Sequence, residues 1–452
     1  MPHDLPLDPA GSELEVNLPG GALLRRSVLP GGVRVLSETQ PGTRSVSLSA
    51  TLAVGSRDEH DGHHGSTHFL EHLLFKGTPR RSAREIAEAF DEVGGEANAA
   101  TGKESTSYYA RVLDADAAMA GDVLLDMVTS ASLREEDTEM ERGVILEELA
   151  AAEDDPADVV HEAFHAAVFD PHPLGRPIGG TPETIRQVPH EAVVEHYRRT
   201  YRSDELVVAA AGNVDHDALV AQVRAGIESS PWAAMPGARP ERPAPRRTGA
   251  RIPTAPAVAR TVRRESEQAH LILGGRALSA GDERRFVLAV LSAALGGGMS
   301  SRLFQEVREQ RGLAYTVYTF TSGYTESGLV GTYVGCSPAR VAEVTQVVMQ
   351  EWRDVAERGI SPEELRRAVG QLRGSIVLGL EDPGSRMSRL VRSETSVGHY
   401  LSLEETFEQL RAVSVQRVRD LAADLLAEPT SLVVVGPYGH DVAGEVLADL
   451  HP

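Results

Sequence analysis

Apolar residues along this chain recur at two periods, and the order in which the periods alternate is itself repeated. Residues 45–54, SVSLSATLAV, alternate as a half-buried strand does, and helical spacing follows around 66–75 and 82–93. Residues 106–113 (TSYYARVL) read as a strand and 114–128 as an amphipathic helix. The stretches 133–153 and 188–201 predict helices, and 205–214 (ELVVAAAGNV) predicts a buried strand.

The second half runs in parallel. Residues 269–278 and 328–336 read as strands, 282–295, 337–355, 360–380 and 413–426 as helices, and 430–439 as a closing strand. Paired landmarks keep a nearly fixed offset: Asp114 and Ser337 stand 223 residues apart, Leu133 and Ile360 227, Val188 and Val413 225, Leu206 and Leu432 226. The pattern is two copies of one α+β unit. Between them, residues 231–262 are rich in Pro, Arg and Ala and read as an extended, semi-rigid linker. The expected domains are therefore 1–230 and 263–452.

Length agrees, because 452 residues exceed one compact core. A formal charge of −21 argues against a broad nucleic-acid face and leaves basic or neutral polypeptides as easier partners. No apolar run is long enough to span a bilayer, and residues 1–21 carry neither a secretory nor an organellar signal pattern. The single cysteine, Cys336, excludes an intramolecular disulfide and fits a reducing compartment, so a cytoplasmic location is expected.

The stretch HGSTHFLEHLLFKGT, residues 64–78, holds His68, Glu71 and His72 in the order H-x-x-E-H. On a helix the two histidines lie one turn apart on one face and can bind one zinc ion, while Glu71 sits beside them as a general base requires. Phe69, Leu70, Leu73 and Leu74 would bury this helix, and buried ionisable groups need partners or a metal. A catalytic zinc needs a third protein ligand and an open position. The helix around 139–153 offers Glu141, Glu147 and Glu148, and its spacing alone leaves Glu147 and Glu148 as alternatives.

Taken together, these stretches with VGGEANAATGKESTSYY and ERGVILEEL make the chain resemble the pitrilysin/insulinase family of zinc endopeptidases, most closely its mitochondrial-processing-peptidase-like branch. The resemblance spans nearly the whole chain, departing near the motif only at His63, His64 and Thr67. It implies an α+β fold of two homologous α/β-roll domains, each a mainly antiparallel sheet with helices packed on it, arising by duplication. It implies one zinc per chain on His68, His72 and Glu148, which follows His72 by 76 residues, with Glu141 supporting the site from behind. It further implies that Asn98 and Ala99 lie on an edge strand that holds substrate in extended form. The second copy has no His pair, but it carries Arg308 and Tyr315, seven apart. By resemblance the arginine grips the substrate main chain and the tyrosine stabilises the oxyanion at the zinc of a facing subunit. On periodicity alone Tyr315 would be a core strand residue, and Gly296–Gly298 either a loop near substrate or a helix cap. The expected assembly is a homodimer, with a heterodimer containing an inactive relative as the alternative.

The expected function is a zinc metalloendopeptidase acting on peptides or unstructured polypeptide. Two other classes compete: a non-catalytic binder of extended polypeptides, which would lack part of the metal set, and a zinc amidase of small molecules, which would need a narrow pocket.

Overall fold

The computed structural model describes residues 2–234, 240–247 and 252–450. The parts of the expected linker at 235–239 and 248–251 lie outside the described residues. A short β1 (His3–Asp4) pairs across the molecule with β13 (His399–Tyr400). The first main sheet contains β2 (Glu13–Asn17), β3 (Leu23–Val28), β4 (Arg34–Thr39), β5 (Ser45–Leu52), β6 (Glu96–Thr101), β7 (Thr106–Leu113) and β8 (Leu206–Gly212). Its order is β2-β3-β4-β8-β5-β7-β6. The second contains β9 (Ala259–Arg263), β10 (Ala269–Ala277), β11 (Ala314–Gly323), β12 (Gly328–Cys336) and β14 (Ser431–Gly436), in the order β11-β12-β10-β14-β9.

The duplication is visible strand for strand. Reading β4-β8-β5-β7-β6 against β9-β14-β10-β12-β11 matches position and direction, and in each sheet one pair, β4–β8 or β9–β14, is parallel while the rest are antiparallel. β9 falls largely within the stretch read as linker. Its sequence, ARTVR, is too polar to read as a strand, yet β14 supplies the hydrogen bonds.

The central strands explain how the halves cohere. Along β8, Leu206, Val208 and Ala210 face the core that also holds Phe69, Leu70 and Leu73, whereas Val207, Ala209 and Ala211 face a second core. β14 splits likewise, with Leu432 and Val434 on one side and Val433 and Val435 on the other. Such continuous apolar strands require cover on both faces. The second cover comes from the other half: helix Pro383–Arg392 sets Met387 and Leu390 on the first sheet, and helix Pro156–Phe169 sets Val160, Phe164 and Val168 on the second. Both helices begin on Pro after an Asp N-cap, Asp155 accepting from the Ala157 N–H at 2.8 Å and Asp382 from Ser385 at 2.9 Å. The two caps stand 227 residues apart, within the repeat offset.

Among the described residues no helix is long and apolar enough to cross a membrane. Gly296 ends helix Arg285–Gly296, and the Gly297 N–H bonds the Ala293 carbonyl at 3.1 Å, so these glycines cap a helix.

Candidate active site

Helix Ser66–Leu73 buries Phe69, Leu70 and Leu73 against the first sheet, which leaves His68, Glu71 and His72 on its other face. It starts at Gly65, whose φ of 94° few side chains tolerate. No side chain of its first turn caps it. Glu59, from the preceding loop, does so instead, accepting from the Gly65 N–H at 2.9 Å and the Thr67 N–H at 2.8 Å. Arg176 donates to the Glu59 carbonyl at 3.2 Å, and Thr67 Oγ1 meets His196 Nε2 at 3.0 Å. Burial pushes the Glu59 carboxyl up to about 7 and the His196 imidazole down to about 3.

Helix Glu135–Asp154 crosses this helix and brings Glu148 to the two imidazoles. Glu148 Oε2 lies 3.6 Å from His68 Nε2 and 3.4 Å from His72 Nε2, and the two Nε2 atoms are 3.3 Å apart. These three donor atoms lie within 4.8 Å of one another, the one such group of three among the described residues. Two imidazole nitrogens and one carboxylate oxygen form a donor set suited to zinc with one position left open. Burial, then the neighbouring His72, lowers the His68 pKa, which keeps its imidazole neutral and its lone pair available. Glu147 points to solvent and shares in none of these contacts.

Glu141, one heptad before Glu148 and buried, accepts from His72 Nδ1 at 2.9 Å and from Lys76 Nζ at 2.5 Å. That bond fixes the His72 tautomer and turns Nε2 toward His68 and Glu148. Glu71, half-buried on the same helix, forms no hydrogen bond or ion pair among the described residues.

Asn98 and Ala99 lie on β6, the outermost strand of the first sheet, paired only with β7. The Asn98 side-chain oxygen accepts from the Ala99 N–H at 2.8 Å. Arg308 and Tyr315 sit together on the second half: the guanidinium lies 4.4 Å from the Tyr315 ring centroid and donates to the Tyr315 carbonyl at 3.2 Å. Neither bonds to His68, Glu71, His72 or Glu148 of its own chain. Tyr315 is 73% exposed at a bulge between Ala314 and Thr316, not in the core where periodicity would place it, because the irregularity turns its side chain off the alternating pattern. Sequence reading missed Glu59 and Lys76; Lys76, one turn after His72, could have been found from its i, i+4 spacing.

Family models match in two successive stretches: residues 34–182 fit the insulinase (peptidase family M16) model and 187–372 the peptidase M16 inactive domain. A Streptomyces coelicolor protein named as an uncharacterized zinc protease is 49% identical over 92% of this chain and 90% of its own length. Similarly named proteins of Mycobacterium tuberculosis and Bacillus subtilis are 45% identical over 97% of each chain and 38% identical over 92% of this chain and 99% of theirs. Two solved structures share the fold. A peptidase M16 inactive domain from Pseudomonas fluorescens superposes with a TM-score of 0.81 at 19% identity, covering 92% of this chain and 98% of that one. A Helicobacter pylori protease gives 0.80 at 18%, covering 95% and 100%. With a duplicated fold, a complete inverted zinc motif and such relatives along nearly its whole length, this chain belongs to the pitrilysin/insulinase family of zinc peptidases, peptidase family M16.

Proposed function

We propose that this protein is a zinc-dependent endopeptidase that cleaves peptides or unstructured polypeptide held in extended form, with one zinc per chain on His68, His72 and Glu148. The observation that carries it is the convergence of those three donor atoms beside the Glu71 carboxylate, which forms no hydrogen bond or ion pair among the described residues. A zinc ion bound there supplies Lewis acidity, lowering the pKa of water and stabilising charge on a carbonyl oxygen. Glu71 takes a proton from the water whose oxygen attacks the scissile carbonyl carbon, then delivers it to the amine nitrogen as the C–N bond breaks. Glu141 holds the His72 ring in register throughout. The free edge of β6 at Asn98 and Ala99 receives the substrate main chain by strand addition, in competition with the local Asn98–Ala99 bond.

Arg308 and Tyr315 act on the site of a facing subunit, the arginine on the substrate main chain and the Tyr315 hydroxyl on the developing oxyanion. The exposure of Tyr315 and the lack of contact between either residue and the local site support this reading, which makes the working unit a dimer enclosing a chamber. One chain carries both sets, so a homodimer is self-sufficient. The single buried thiol fits a cytoplasmic setting.

The test pairs zinc quantification with cleavage of a quenched peptide library by wild type and Glu71→Gln. Equal zinc in both, with cleavage by wild type only, is expected. Zinc-loaded wild type that cuts no peptide pool would leave a polypeptide-binding role instead.

A further inference from the structure

Two adjoining cavities in the second half are at odds with the charge of the chain. The protein has 66 acidic residues against 45 Lys and Arg, yet no Asp or Glu lines either cavity. Their volumes are about 350 and 310 Å³, and they share Arg285, Phe286, Ile376 and Arg392. Arg389 joins the wall of the larger one.

None of the three arginines forms an ion pair with a carboxylate among the described residues. Arg285 donates to the Asp282 carbonyl at 3.2 Å and to His399 Nε2 at 3.0 Å, while the Asp282 carboxylate is turned to Arg284 at 3.2 Å. Arg389 donates to the Leu401 carbonyl and to Thr406 Oγ1, and lies over the Tyr400 ring. The Arg392 guanidinium makes no hydrogen bond among the described residues. Burial, then the Arg392 charge, lowers the Arg285 pKa against the opposing charges of Asp282 and Glu283, so the crowding of the two cations is only partly offset. An anion in the cleft would relieve that crowding, and a carboxylate matches the guanidinium fork.

The cleft also connects with the proposed substrate edge. Ser385 and Arg392 are shared with a cavity of about 900 Å³. That cavity in turn shares Tyr109, Asp382, Gly384 and Met387 with one of about 710 Å³ beside Asn98 of β6. Adjoining hollows thus lead from the edge strand to the arginines.

We propose that the cleft of Arg285, Arg389 and Arg392 binds the free C-terminal carboxylate of a peptide whose last side chain is apolar and packs against Phe286 and Ile376. The identity of this ligand rests on the peptidase reading above; the cleft itself does not. A small free acid shares the head-group chemistry, so the test must separate the two sources.

The experiment measures anisotropy of a fluorescein-labelled Gly/Ala/Ser peptide ending in leucine, as free acid and as amide, on zinc-loaded Glu71→Gln protein, where turnover cannot interfere. The acid is expected to bind at least about tenfold more tightly than the amide, the scale of one charge-assisted contact. Adding Arg392→Gln should abolish that preference, while Arg84→Gln, a charge loss elsewhere on the surface, should preserve it. Circular dichroism checks that both variants fold. Equal binding of acid and amide, or a preference that survives Arg392→Gln, overturns the proposal. Decanoate binding that depends on Arg392, alongside peptides indifferent to amidation, assigns the cleft to free acids and overturns it as well. Cleavage by wild type is assayed separately, so acid-selective binding without any cleavage would retain the cleft and remove the peptidase reading.

Discussion

At the scale of single residues, the site depends on groups that hold the donor atoms as much as on the donors. Glu141 is buried behind His72, and its bond to His72 Nδ1 aims the other ring nitrogen at Glu148 and His68. Glu141→Ala should weaken zinc binding by about 10- to 100-fold in chelator competition, the usual cost of losing such support. Glu59 acts on the backbone, and its signature is pH dependence of stability. Its carboxyl is raised from 4.5 to about 7 by burial, against the N–H donors of Thr67 and Gly65 and the charge of Arg176. The folded protein thus holds this proton more tightly than the unfolded chain. The resulting stability is fully present below about 4.5 and lost as pH rises through about 7, a fall bounded at about 3 kcal/mol. Urea unfolding of metal-free protein across that window should show wild type losing stability relative to Glu59→Gln. His196 has the opposite sign, its imidazole being depressed, but it is common to both proteins and cancels. A wild-type-to-variant difference constant with pH would remove Glu59 as the source. His68 and His72 were legible as a pair because helical spacing puts them on one face, whereas Glu148 was separated from Glu147 only by the family resemblance. Glu59 was not legible, because a carboxylate aimed at main-chain N–H groups leaves no pattern of side chains to read.

At the scale of elements, the order of strands and helices could be read in both halves, and the repeat offset with it. Helices Pro156–Phe169 and Pro383–Arg392 were not read, nor were β2, β3, β4 and β9. The strands are short and mostly polar or interrupted, so alternation is weak. The helices have clear caps, but an apolar stripe does not say which sheet it covers, and each of these covers the sheet of the other half. That exchange has a thermodynamic consequence. Phe164 is fully buried on the second sheet although it belongs to the first half. Phe164→Ala should cost about 3–5 kcal/mol, as large core truncations do. Because the exchanged helices tie the two cores together, denaturation should remain one transition shifted to lower urea. Two separate transitions, with the zinc half unaffected, would show that the halves fold independently.

At the scale of the whole molecule, one chain brings together three groups that could hold a metal ion in its first half and a half-buried Arg308 beside an exposed Tyr315 in its second, with no bond between the two sets. If the pair serves a facing subunit, the two functions must complement in trans. Glu71→Gln keeps its tyrosine but lacks its base, and Tyr315→Phe keeps its base but lacks the hydroxyl. Each homodimer is impaired at both sites. Mixed in equal amounts after dissociation and reassembly, they form heterodimers in about half of the population, each with one site that has both Glu71 and a facing Tyr315. Peptide cleavage should then recover to about a quarter of the wild-type rate, above the sum of the parents. Simple mixing without subunit exchange should give no gain, which separates reassembly from additive residual activity. If Arg308 and Tyr315 served the zinc of their own chain, neither parent would hold what the other lacks at any site. Reassembly would then leave the rate at the parental average.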